Sequence, residues 1–160
     1  MIERYHMSQR TQLIANLGVE LQRYQRAVHA YDDAVGRALR LGSAEVRCLD
    51  RLAEGPATAG ELAASTGLRP AATTALIDRL AARGWVERSA DEGDRRKVLV
   101  RFTAEGSRTT YAYYAPLVAT AGMVFDGVDD AVLGSMGVVL ERMRTVTDRL
   151  RDEIPGIVPR

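Results

Sequence analysis

The sequence predicts a mainly α fold with a small β wing of two to three strands, and three observations lead there. Apolar residues recur at helical spacing towards both ends of the chain. Between those ends lie three short helical segments, each with its own start and stop signals. Directly after them the apolar period drops from about 3.6 to about 2 residues. Helix, helix, helix and hairpin, in that order, make a winged helix-turn-helix framed by long N- and C-terminal helices.

In the first segment Leu17, Leu21, Tyr24, Val28, Tyr31, Val35 and Ala38 follow one another in alternating steps of four and three. That is a heptad seam on one helix from about Thr11 to Arg40, roughly 45 Å long at 1.5 Å per residue. A helix of that length exceeds what a small domain needs for its own packing, so a partner surface is implied. Ser43 is positioned to cap a second helix that runs through Leu52 and stops at Glu54-Gly55-Pro56. Thr58-Ala59-Gly60-Glu61 has the spacing of a capping box, opening a short helix that reaches Thr66 and ends at Gly67. After Leu68 and Arg69, Pro70 fits the first turn of a third helix with Thr73, Leu76, Ile77 and Leu80 inward and Gly84 just past its end. Val86–Ser89 and Lys97–Phe102 read as strands joined by a turn at Asp91, Glu92, Gly93 and Asp94. The alternation puts Val98, Val100 and Phe102 on one face and Leu99 and Arg101 on the other.

Thr103 can cap a helix to about Asp126, in which Tyr111, Tyr114, Ala115 and Val118 recur at helical spacing and Pro116 predicts a kink. Asp129 caps the last helix, with Val128 and Leu133 as a hydrophobic staple. Along it Val132, Met136, Val139, Leu140, Met143, Val146 and Leu150 form a second seam. The expected organisation is a first dimerisation region over 1–41, a winged domain over 42–103 and C-terminal dimerisation helices over 104–160. Leu17 and Leu21 on the first helix, and Val139, Leu140, Met143, Val146 and Leu150 on the last, are the expected dimer interface.

Composition excludes several classes. A chain of 160 residues is about one domain, and 46% hydrophobic with 27% charged residues is the balance of an ordinary globular protein. The formal net charge is +1, so any attraction to nucleic acid must come from local placement of charge. Cys48 is the single cysteine, which rules out an internal disulfide and fits a reducing, cytoplasmic location. Residues 1–16 hold no apolar run of signal-peptide length. The uncharged stretch Thr109–Phe125 is 17 residues, short of the roughly 20 that a bilayer requires.

The connection Gly67-Leu68-Arg69 is tight enough for a helix-turn-helix, which presents its second helix to a major groove. Facing away from the inward stripe are Arg69, Ala71, Ala72, Thr74, Ala75, Asp78 and Arg79. Arg69 suits guanine or a phosphate, Thr74 a base edge, and the alanines only thymine methyls. In the hairpin Asp94, Arg95, Arg96 and Lys97 stand where the tip becomes a strand. Three adjacent cations there contribute nothing to a core but are compensated along phosphates or in a narrow minor groove, and Asp94 can brace one of them through an ion pair. From Thr58 to Phe102 there are eight basic residues against six acidic, and from Thr103 to Arg160 six against eight. The charge is therefore polarised towards the hairpin, though weakly for one copy; two copies on one frame would bind duplex DNA far better.

The run from Gly67 to Val86, with Asp78-Arg79-Leu80 and Arg83-Gly84 inside it, the following Glu87-Arg88, the Asp94-Arg95-Arg96 wing and the Phe102–Gly106 exit resemble the MarR family of bacterial transcriptional regulators. The resemblance covers essentially the whole chain, because the flanking helices sit where that family places its dimerisation helices. It implies a two-fold homodimer on a pseudo-palindromic double-stranded operator, a repressor released by a small-molecule or redox input, and Arg96 in the minor groove with Asp94 as its brace. It further implies an anionic aromatic effector between the dimerisation region and the DNA-binding domain, for which Tyr24, Tyr31, Tyr111 and Tyr114 are the candidate lining, with Tyr113 beside them. The alanines at 71, 72 and 75 depart from the Ser, Thr or Arg common in that family's recognition helices. The alternative reading is therefore a winged-helix protein-interaction module with little specific DNA readout.

Cys48 falls among Val46, Leu49 and Leu52, the setting of a small buried hydrophobe rather than of a peroxide sensor. His6 and His29 have no Cys or His at ligand spacing, so neither a metal nor another cofactor is expected. No Ser/His/Asp group, paired carboxylates or phosphate loop supports an enzyme.

Overall fold

Leu62, Leu76, Ile77 and Leu80 are each no more than 1% exposed, and around them the middle of the chain is built. In the computed structural model, which describes residues 9–91, 93–94 and 96–157, with side chains to residue 154, the helices are α1 (Gln9–Leu39), α2 (Ser43–Ala53), α3 (Ala59–Thr66), α4 (Pro70–Ala82), α5 (Ala104–Val124) and α6 (Asp130–Ile157). The strands are β1 (Ala57–Thr58), β2 (Val86–Ala90) and β3 (Val98–Phe102). Two compact units result, one extending to Tyr113 and the other starting at Tyr114.

The α3 start is the reciprocal box that the spacing predicts. Thr58 Oγ1 accepts from the Glu61 amide at 3.3 Å while Glu61 Oε2 accepts from the Thr58 amide at 2.6 Å. Those bonds to Thr58 hold the Glu61 carboxyl below its ordinary pKa. At the other end Gly67 takes φ 71, a left-handed value that glycine adopts without penalty, and its amide returns to the Ala63 carbonyl. The Arg47 guanidinium donates to the Thr66 carbonyl at 3.2 Å, a cation placed at the negative end of that helix.

One local expectation needs correction. The cap of α2 is Gly42, whose amide donates to Glu45 Oε2 at 2.8 Å, and Ser43 is already helical. The sheet has three strands in the order β1-β3-β2, all antiparallel, within the two to three expected, the short β1 adding to the hairpin. Ala57 pairs with Val100 and Thr58 with Leu99, while β2 and β3 run in register from Val86↔Phe102 to Ala90↔Val98. Val98 shares its face with Val100 and Phe102, yet it is exposed because it lies at the far end of the hairpin, beyond the core. Glu92 of the predicted turn lies outside the described residues.

Thr103 closes the wing onto α5. Its hydroxyl donates to the Gly84 carbonyl at 2.6 Å and accepts from the Gly106 amide at 2.9 Å, so one side chain caps the helix and ties it to the end of α4. Gly106 is buried, and a Cβ there would sit far inside van der Waals contact of the Trp85 carbonyl oxygen. Gly106→Ala is therefore expected to destabilise by about 1–2 kcal/mol, because overpacking against backbone outweighs the roughly 1 kcal/mol that alanine gains in a helix. A urea titration with an unchanged or raised midpoint would contradict that close approach.

α5 is a continuous helix through Pro116. At the start of α6, Asp129 Oδ1 accepts from the Ala131 amide at 2.8 Å, with Val128 and Leu133 both half-buried, as a capped and stapled start requires. No helix is long and apolar enough to cross a membrane among the described residues.

Candidate nucleic-acid interface

The inward stripe of α4 fixes what the helix shows outside. Because Thr73, Leu76, Ile77 and Leu80 are buried, Arg69, Ala71, Ala72, Thr74, Ala75, Asp78 and Arg79 are all exposed, which is the set predicted from the spacing. Arg69 is the N-cap residue, with extended backbone and no capping bond from its side chain. Its carbonyl accepts from both the amide and the hydroxyl of Thr73, at 3.0 and 3.2 Å, so the residue leaves a fixed point. Thr74 donates its hydroxyl to the Pro70 carbonyl at 3.1 Å.

Ion pairs orient the rest of this face. Asp78 receives Arg88 of β2 at 2.6 Å, linking helix to wing. Glu45 of α2, largely buried, faces Arg79 at 3.8 Å and Arg83 at 3.6 Å. Glu87 and Arg101 pair across the hairpin at 2.8 Å. Each partner lies ten or more residues away in sequence, so neighbouring charge patterns gave no sign of these pairs.

The hairpin tip is organised by Asp91. Its Oδ1 accepts from the Gly93 and Asp94 amides at 2.7 and 2.9 Å, which holds its carboxyl below the ordinary range, with a smaller contribution from the Lys97 charge. The Lys97 amide donates to the Asp94 carbonyl at 2.8 Å. Asp94 Oδ1 accepts from the backbone amide of Arg96 at 3.1 Å, so Asp94 fixes the chain at Arg96 rather than its guanidinium; the expected side-chain ion pair is not formed among the described residues. Arg96 and Lys97 are exposed and, like Arg69, have no ion pair at contact distance among the described residues. Arg95 lies outside the described residues.

These features sit on one framework: a tight turn pair, a helix with one face committed to the core, and a hairpin tip carrying unpaired cations. The sequence model described as MarR family matches residues 41–97, from the start of α2 to the wing tip. Over those residues the chain is similar to the MarR family.

Among curated relatives, the chain is 44% identical over 71 residues to the uncharacterized HTH-type transcriptional regulator YcgE of Bacillus subtilis (strain 168), a match covering 44% of the chain and 46% of that protein. It is 42% identical over 53 residues to the HTH-type transcriptional repressor NicR of Pseudomonas putida, covering 33% and 34%. The chain thus spans less than half the length of the curated relatives it matches. Among solved structures, CouR from Rhodococcus jostii RHA1 bound to p-coumaroyl-CoA is 29% identical, with TM-score 0.57 over 79% of this chain and 90% of that one. A MarR-family regulator from Rhodococcus sp. RHA1 is 28% identical, with TM-score 0.53 over 82% and 94%. A MarR-family protein from Bacillus stearothermophilus, at 22% identity and TM-score 0.63 over 89% and 99%, shares the fold.

The predicted tyrosines lie on other elements, α1 and α5. Tyr24 and Tyr111 are each 66% exposed, and the Tyr31 hydroxyl donates to the Tyr113 carbonyl at 2.6 Å, a helix-to-helix bond between α1 and α5. Tyr114 is half-buried. Two concavities lie elsewhere: one of about 640 Å³ between the start of α2 and α4, bordered by Gly42, Glu45, Leu68, Ala72, Ala75 and Arg79, and one of about 500 Å³ between α1 and α2, bordered by His29, Asp32, Asp33, Arg47 and Asp50. Burial, with help from Asp32 and Glu54, raises the Asp50 carboxyl. Cys48 is fully buried, and burial pushes its thiol up to about 11, so at neutral pH it is neither accessible nor ionised. Among the described residues no group of three or more His, Cys, Asp or Glu is placed to hold a metal; His6 lies outside them.

The predicted dimer seam is apolar and uncovered in the single chain. Leu17, Val139, Leu140, Met143, Val146 and Leu150 are exposed and Leu21 is half-buried.

Proposed function

We propose that this chain works in the cytoplasm as a homodimeric, DNA-binding transcriptional regulator, with residues 42–103 holding the duplex and residues 1–41 and 104–160 joining two copies. One observation carries this reading: the exposed face of α4 and the exposed cations Arg96 and Lys97, without an ion pair among the described residues, belong to the same compact unit, with the Asp78–Arg88 pair holding helix and hairpin together. α4 enters the major groove, and the hairpin lays Arg96 and Lys97 along phosphates or in the adjacent minor groove. A narrow minor groove has the most negative potential, which favours Arg96 there.

The exposed apolar seams of α1 and α6 support association. A surface with this many large apolar side chains in helical register is stabilised when a second copy removes it from water. Two copies then present two half-sites, and the second contact is made at the high effective concentration that a rigid frame provides. Repression is the mode favoured by the likeness to NicR, and response to an anionic ligand with an aromatic group by the likeness to CouR, whose structure holds p-coumaroyl-CoA.

Arg96→Ala tests the wing. Affinity for an operator fragment is expected to fall about tenfold, and the slope of log affinity against log salt to shrink by about one, since one phosphate-neutralising charge is lost. Unchanged affinity and slope would remove the wing from the interface and favour a protein-interaction module instead.

A further inference from the structure

We infer that α4 donates hydrogen bonds to base edges at one position only, through Arg69, and reads the interior of its half-site chiefly as thymine methyl groups. This deepens the DNA-binding reading above and rests on it. It starts from how the polar side chains on the outer face are engaged. Asp78 is turned towards β2 by its 2.6 Å pair with Arg88, and Arg79 is drawn towards α2 by Glu45. The Thr74 hydroxyl hydrogen is used on the Pro70 carbonyl, so its oxygen is left as an acceptor only.

Arg69 remains. Its backbone is pinned by the two bonds from Thr73 and by the proline that follows, and its side chain makes no ion pair among the described residues. A guanidinium is a fork of donors with no acceptor, which fits O6 and N7 of guanine and no other base pair as well. The next exposed positions offer methyl groups at Ala71, Ala72 and Ala75. Against guanine or cytosine these would desolvate base-edge donors and acceptors without pairing them, a penalty that discriminates as firmly as a bond. Against thymine they meet the one apolar group in the major groove, and their small size lets the helix approach it. The expected half-site therefore carries one guanine facing the start of α4, followed by thymine-rich positions on either strand.

The test uses the full chain and a pool of random-sequence duplexes. After selection, thymines of the recovered half-site are replaced one at a time by deoxyuridine, which removes the methyl and keeps every hydrogen bond, and the guanine by 7-deazaguanine. Each internal methyl removed should weaken binding up to about fourfold, the value of one buried methyl-sized group. Loss of N7 should weaken it roughly tenfold, at the low end of what one bidentate contact discriminates, and Arg69→Ala should abolish that difference. Several required guanines within the half-site, or indifference to uracil, overturns the methyl readout. An Arg69→Ala protein that loses affinity equally for all sequences makes Arg69 a phosphate contact and overturns its role. Recovery of no duplex at low salt overturns the DNA-binding reading itself, a result distinct from the other two.

Discussion

Leu140→Asp is expected to leave a protein that sediments as a single chain and binds an operator at least a hundredfold more weakly, since linked binding gains about 10²–10⁴ over one site alone. Leu140 is 52% exposed in the isolated chain and stands in the α6 seam with Met136, Val139, Met143, Val146 and Leu150. A carboxylate placed there is harmless to the single chain, where water reaches it. Between two copies it loses that water, and burying a charge is far more costly than losing a leucine contact. Helical content by circular dichroism at high protein concentration separates association from folding: α3, α4 and the sheet are built without this residue and should remain. Sedimentation of Leu140→Asp as an intact dimer would place the association surface elsewhere on the molecule.

Leu80→Ala is expected to destabilise the winged unit by about 2–5 kcal/mol, much of what a domain of this size possesses. Leu80 is fully buried and packs in the cluster that also holds Leu49, Leu52, Leu62, Leu76, Val86 and Val100. That cluster draws on α2, α3, α4 and both hairpin strands, a close-packed setting in which collapse of one wall is not expected to close the void. Because the carbonyl of Leu80 also receives the Trp85 amide at 2.9 Å, the substitution loosens the point where α4 gives way to β2. The denaturant midpoint at fixed protein concentration reads the effect, and a shift under 1 kcal/mol would mean that the site repacks.

What could be read from the chain before its coordinates follows from the range of the forces involved. The Thr58–Glu61 box, Gly67, Pro70 and the stripe Thr73-Leu76-Ile77-Leu80 are set within a few residues of themselves, and each was legible because helix geometry converts spacing directly into facing. β1 was not resolved from the pattern. Two residues carry no period, and Ala57 becomes a strand only because Val100, far along the chain, offers its backbone. The same holds for the charges. Asp78 and Arg88 were visible as residues, but their pairing depends on where β2 lies against α4, which no local signal encodes. At the wing, the sequence pattern offers Asp94 as an ion-pair brace, whereas its carboxylate is taken by a backbone donor: a side chain so near in sequence reaches the Arg96 amide before it can reach the guanidinium.

The stripe along α1 changes company midway. Leu13 and Leu17 are 62% and 53% exposed, whereas Val35, on the same helix, is 6%. Among the described residues the buried ones of α1 lie in its later turns, and helical turns with little burial are marginal in water. The amides of the first turns should therefore exchange with deuterated solvent at a rate that slows as the protein is concentrated, while those around Val35 do not respond; α1 would then be a helix finished by mass action.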